Sequence, residues 1–126
     1  IESLILENAK RFEIEKILDK YPTEVSGGEK QRTAICRAII NEPKIILADE
    51  PTGNLDSINS EIVIKYFERL NLEENRTILM VTHDVFSASY AERLLFLKDG
   101  KLVKELFRHD KDRKTFMSEI YDELSI

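Results

Sequence analysis

The sequence predicts an α/β domain built on parallel strands, followed by a C-terminal hairpin and a terminal helix. Three observations predict it. Two short apolar runs, residues 44–48 and 77–82, have the length of strands and flank a helix-patterned segment, the order that yields a parallel pair joined by a right-handed crossover. Asp99-Gly100 lies between two further apolar runs, a strong hairpin signal. Phe116, Ile120 and Leu124 recur at helical spacing near the C-terminus.

Composition sets the bounds. The chain has 126 residues, 42% hydrophobic and 34% charged, which fits one soluble domain with a modest core. Net charge is −5, from 24 acidic and 19 basic residues, and no segment is dominated by Lys and Arg, so nucleic acid is not an expected partner. Cys36 is the only cysteine, which excludes an internal disulfide and suits a reducing compartment. The apolar runs are too short to span a bilayer and nothing resembles a signal peptide, so a cytoplasmic chain is expected. Because it starts at Ile1, a fragment or a processed product is expected too.

In order, residues 1–21 read as one helix, with Ile14, Ile17, Leu18 and Tyr21 on one face, stopped by Pro22. Ser26 followed by Glu29 has capping-box spacing for a second helix, whose apolar face reads as Ala34, Ile35, Ala38 and Ile39, with Cys36 in the core. Asn41-Glu42-Pro43 ends that helix. Residues 44–48 then read as a strand buried on both faces of a sheet. Pro51, Gly53 and Asn54 supply a turn, and Ser57 can cap a helix with Ile62, Val63, Tyr66, Phe67 and Leu70 inward. Residues 71–76 read as a polar loop and residues 77–82 as a second buried strand ending at His83. Asp84 can cap a short helix reaching Ala91. There is no internal repeat.

The chemistry lies where these elements end. A helix start offers unpaired N–H groups, and Gly27 and Gly28 let an anion approach the backbone, so Ser26, Gly27, Gly28 and Glu29 form a candidate phosphate contact. Taken alone, the same stretch is more simply a capped helix. Asp49 and Glu50 stand at the carboxyl end of a strand, where open α/β sheets place ligands. Asp49 suits Mg²⁺; Glu50, aimed to the other side, can polarise a water. His83 repeats the arrangement on the second strand, although a lone histidine is more often structural. Asp56 reads equally well as a helix N-cap.

Together these pieces resemble the ATP-binding subunits of ABC transporters. VSGGEKQR at residues 25–32 resembles the family signature, IILADE at 45–50 the Walker B strand, GNLD at 53–56 the D-loop and VTHD at 81–84 the switch-histidine loop. The four occur in family order across residues 21–106. The resemblance implies a partial P-loop NTPase core, divided into residues 1–42 (remainder of the helical subdomain), 43–107 (C-terminal part of the RecA-like core) and 108–126 (a helical tail). It implies that Ser26, Gly27, Gly28 and Glu29 bind the γ-phosphate of ATP held by a second ATPase subunit in a head-to-tail dimer. It further implies that Asp49 supports Mg²⁺, Glu50 is the general base or the water-orienting residue, His83 senses the γ-phosphate and Asp56 couples the two sites. A membrane permease would be the other partner, with the ATPase peripheral to the membrane. Val25 and Glu29 stand where Leu and Gln are commoner in the family.

Within the family, ADEPTGNLD at residues 48–56 is similar to the lipoprotein-release, macrolide and peptide-exporter branch. THDVFSASYAER at 82–93, FLKDGK at 96–101 and the acidic, aromatic tail are similar to bacitracin-resistance exporters. None of the four glycines lies in a G-x-x-x-x-G-K-[ST] pattern, so the chain alone is expected neither to bind ATP usefully nor to hydrolyse it. Without a Walker A strand, residues 77–82 should present an open edge through which the chain self-associates or which it rearranges to cover. A short non-catalytic module lending its signature helix and D-loop to a complete ATPase is the alternative reading. A chromosome-maintenance ATPase fits less well, since residues 1–21 show no sustained heptads.

Overall fold

The computed structural model describes residues 2–125, arranged in two compact units, Ile1–Val81 and Thr82–Ile126. The first contains helix α1 (Glu2–Arg11), helix α2 (Gly27–Ile39), strand β1 (Ile45–Asp49), helix α3 (Ser57–Glu74) and strand β2 (Thr77–Val81). The second contains helix α4 (Val85–Ala88), strands β3 (Arg93–Lys98) and β4 (Lys101–Phe107), and helix α5 (Arg113–Leu124).

The first helix is shorter than its pattern. Glu13 adopts φ 56, and the N–H of Ile14 reaches back to the carbonyl of Ala9 at 2.8 Å, closing the helix in a Schellman-type turn. Since the left-handed residue is Glu rather than Gly, composition did not signal the stop. Ile14 and Ile17 are buried, but Leu18 and Tyr21 are exposed, so the single face expected over residues 1–21 breaks up. Pro22 opens a 3₁₀ turn, Pro22–Glu24.

Helix α2 packs against both α1 and α3. It therefore buries Ile35, Cys36 and Ile39 together with Gly28 and Arg32, whereas Ala34 and Ala38 are exposed, a rotation from the expected face. The Cys36 thiol donates to the Asn8 carbonyl at 3.5 Å, and the rings of Phe12 and Tyr66 meet at 4.8 Å, joining the α1 end to α3. Val63, Ile64, Tyr66, Phe67 and Leu70 line the inner side of α3, close to the expected set, with Ile64 in place of Ile62.

The expected loop at residues 71–76 is largely helix. α3 runs to Glu74 and ends on Asn75 at φ 54. Arg76 then donates to the carbonyls of Glu42 (3.0 Å) and Pro43 (2.9 Å), and the N–H of Thr77 bonds the Lys44 carbonyl at 2.8 Å, which starts the ladder. β1 and β2 run parallel, Ile45 opposite Thr77 through Asp49 opposite Val81. The expectation of strands buried on both faces is corrected: Ile46 and Ala48 are buried, but Ile45 (61%), Leu47 (75%), Leu79 (57%) and Val81 (56%) face outward. No element among the described residues of this unit covers that face, and parallel sheets ordinarily need a layer on each side.

In the second unit Asp99 (φ 51) and Gly100 (φ 75) form the two-residue turn of the β3–β4 hairpin, as the Asp-Gly pair predicts. Both residues need left-handed geometry, which is why this pair marks it. Val85, Phe116 and Ile120 form the core, with Leu94, Phe96, Leu106 and Met117 packed around them. Leu124 stays exposed. α4 ends at Ala88 rather than Ala91.

Candidate functional site

The segment between residues 26 and 56 brings three element ends into the first unit: the start of α2, the end of β1 and the start of α3. Ser26 is extended, and its hydroxyl accepts the Glu29 N–H at 3.2 Å while Glu29 Oε1 accepts the Ser26 N–H at 3.1 Å. The capping box therefore forms as spaced. These bonds hold the Glu29 carboxyl below its usual range, first through the Ser26 backbone N–H and then the hydroxyl. Among the described residues the N–H groups of Gly27 and Gly28 have no acceptor, which leaves two donors at a positive helix end.

The two glycines differ. A methyl on Gly27 would meet only Leu55 Cδ2, at 3.4 Å. On Gly28 it would collide with the Asn59 amide and come within 3.1 Å of the Asn59 Cβ. Gly28 is thus required where α2 crosses the start of α3.

Asn59 is a site neighbour that the sequence reading did not single out. Asp56, the N-cap of α3, accepts the Asn59 N–H at 2.8 Å and the Asn59 Nδ2 at 2.9 Å. The cap is therefore Asp56 and not Ser57, and these bonds lower the Asp56 carboxyl from its ordinary range, the backbone bond leading. Asp at the cap with Asn three residues on is a capping-box spacing with Asn in the place of Glu, the one signal that pointed here.

Asp49 is exposed at the end of β1. Glu50, next to it, takes φ 45, while its N–H continues the ladder to the Val81 carbonyl at 2.8 Å and its carbonyl accepts the Gly53 N–H at 3.1 Å. The remaining left-handed non-glycine residues, such as Asn75 and Asp99, end helices or make turns between regular elements. Glu50 likewise opens a turn, between β1 and α3, and Pro51 and Thr52 after it are buried. His83 belongs to the second unit, exposed between Val81 and the Asp84 cap of α4.

Arg32 closes the 25–32 stretch, and the sequence assigned it no role of its own. It is buried on α2, one and a half turns from Ser26, and its Nε has no hydrogen-bond partner among the described residues. A charged residue outside the expected apolar face carries no mark of burial in the sequence.

These residues alone do not complete a site for a magnesium nucleotide. No group of three His, Cys, Asp or Glu capable of holding a metal exists among the described residues, and the α2 start offers two free N–H groups rather than a glycine-rich cradle. No chemical step through metal or nucleotide follows from this chain by itself. No helix among the described residues is long and apolar enough to cross a membrane.

A family model described as ABC transporter matches residues 2–53. The chain is 49% identical over 118 residues to the ABC transporter ATP-binding protein YxdL of Bacillus subtilis, covering 94% of this chain and 46% of that protein. It is 47% identical over 112 residues to the bacitracin export ATP-binding protein BceA of Halalkalibacterium halodurans, covering 89% and 44%. It therefore spans about half the length of the curated relatives it matches. Among solved structures, the dimeric post-hydrolysis state of the ATP-binding cassette MJ0796 of Methanocaldococcus jannaschii, bound to ADP and Pi, superposes with a TM-score of 0.74 at 42% identity, over 83% of this chain and 46% of that one.

Proposed function

The chain belongs to the ATP-binding domains of ABC transporters, and from that premise we propose that it is the C-terminal part of an ATPase subunit driving a membrane permease, with bacitracin-type antimicrobial peptide export or resistance as the transport role. In this reading Ser26, Gly27, Gly28 and Glu29 contact the terminal phosphate of ATP carried by a second ATPase subunit, and Asp56 links the paired sites. Asp49 supports Mg²⁺, Glu50 orients or deprotonates the attacking water, and His83 senses the terminal phosphate. The subunit works at the cytoplasmic side, held to the membrane by its permease. Residues 1–42 then belong to the helical subdomain, 43–107 to the nucleotide-binding core and 108–126 to a tail. The 126-residue chain alone is inactive, because no stretch of it can cradle the β- and γ-phosphates.

One observation carries the reading: Glu50, a non-glycine residue held at φ 45 at the carboxyl end of the parallel pair, directly after an outward Asp49. Open α/β sheets place ligands at such strand ends. The likeness to BceA supports the transport role. The test is Glu50→Gln in the complete protein. Turnover should vanish while ATP still drives dimerisation in sedimentation, and near-normal turnover would sink the assignment. Micromolar ATP binding by the isolated chain in calorimetry would overturn its inactivity.

A further inference from the structure

Helix α4 begins two residues after His83, and its two ends are fastened by different means. At its start the Asp84 carboxylate accepts the N–H groups of Phe86 (3.2 Å) and Ser87 (3.0 Å) and the Ser87 hydroxyl (2.6 Å), while the Asp84 N–H bonds Thr82 Oγ1 at 3.0 Å. Both neighbours of His83 are thereby tied into one cap. Four residues of helix are too few to hold such a cap by themselves.

The far end supplies the hold. Ser89 is fully buried; its hydroxyl donates to the Phe86 carbonyl at 2.6 Å and accepts the Arg113 Nε–H at 3.2 Å, and its carbonyl accepts from Arg108 Nη1 at 3.4 Å. The Arg113 guanidinium carbon lies 3.7 Å from the Tyr90 ring centroid and 4.8 Å from that of Phe86. The two rings meet edge to face at 5.5 Å. One half-buried side chain on α5 therefore stacks on both aromatics of the α4 segment and hydrogen-bonds the serine between them. A planar guanidinium can do both at once, whereas an ammonium lacks the fork.

We infer that Arg113 is a positioning residue for His83: clasped by Phe86, Tyr90 and Ser89, it locks α4 onto α5 and so sets the backbone from which His83 projects. The inference rests on His83 acting at the phosphate, and it makes the C-terminal helix a determinant of turnover. A catalytic side chain displaced by about 1 Å loses on the order of 100-fold in rate, so a partial loosening should cost about tenfold.

The experiment compares Arg113→Ala, Arg113→Lys and, as a control, Lys111→Ala in the complete protein. Lys111 also carries a cation just before α5, bonded to Glu119 at 2.8 Å, but does not touch α4. Amide hydrogen exchange at Phe86 and Ser87 should quicken about tenfold in both Arg113 variants and stay unchanged in the control. In steady-state hydrolysis kcat should fall about tenfold with KM for ATP within about twofold, the pattern of a contact that matters to the chemical step and not to binding. Unchanged exchange, rescue of exchange and kcat by lysine, or a joint shift of kcat and KM with a lowered melting point would overturn the inference. Absence of hydrolysis by the unsubstituted protein would overturn the nucleotide reading instead, and the exchange rates would then decide the role of Arg113 alone.

Discussion

Replacing Gly28 with alanine tests whether that glycine is there for packing. The added methyl collides with the Asn59 amide and lies 3.1 Å from the Asn59 Cβ. The amide can swing away only by giving up its 2.9 Å bond to Asp56 Oδ2. The Cβ cannot swing at all, because it is fixed to the α3 backbone, so α2 and α3 must part by several tenths of an ångström. Overpacking of this kind costs about 1–3 kcal/mol, offset by up to about 1 kcal/mol from replacing glycine in a helix. The net expectation is about 1–2 kcal/mol of destabilisation, near 3–6 °C of melting temperature per kcal/mol for a domain of this size. Urea unfolding followed by circular dichroism measures it, with Gly27→Ala as reference, since that methyl meets ordinary contact. Asn59→Gly in the Gly28→Ala background removes the obstructing atoms and should recover most of the loss. If Gly28→Ala is as stable as Gly27→Ala, or if Asn59→Gly fails to relieve it, the packing argument is wrong.

Three further expectations follow from the geometry. The carboxyls of Glu29, Asp56 and Asp112 are all lowered from their ordinary values, each first by a backbone N–H bond, from Ser26, Asn59 and Thr115 respectively. Their capping contribution is complete above the unfolded carboxylate range and is lost as pH falls through the lowered folded values; helical circular dichroism should therefore decline on acidification below about pH 4, and an unchanged signal to pH 2 would refute it. Burial raises the Cys36 thiol to about 11, the nearby Arg11 opposing, so at pH 8 it should react with a thiol reagent only as fast as the protein opens; immediate stoichiometric labelling of the folded chain would contradict this. The uncovered face of Ile45, Leu47, Leu79 and Val81 beside open strand edges should drive concentration-dependent self-association of the isolated chain, and Leu79→Lys should weaken it in sedimentation; a wild-type monomer at high concentration would count against that.

What the sequence determined by itself is what short-range bonds decide. The Ser26–Glu29 box, the Asp84 cap and the Asp99-Gly100 hairpin each close within about four residues, so residue types at fixed offsets suffice to read them. The alternation of apolar runs and helical segments likewise determined the parallel pair, and the four motifs carried the resemblance to the family. The tertiary structure decided everything that depends on a distant neighbour. Glu13 ends α1 in a conformation that its residue type does not announce. Ala34 and Ala38 look inward by periodicity but are exposed, because α1 and α3 together select the Ile35–Cys36–Ile39 side of α2. Gly28 and Gly27 are alike in sequence, yet only Gly28 meets Asn59, thirty-one positions on, and Arg113 reveals its clasp only once α5 lies against α4. Such contacts depend on which surfaces meet, and one chain's local pattern is compatible with several pairings until packing excludes all but one.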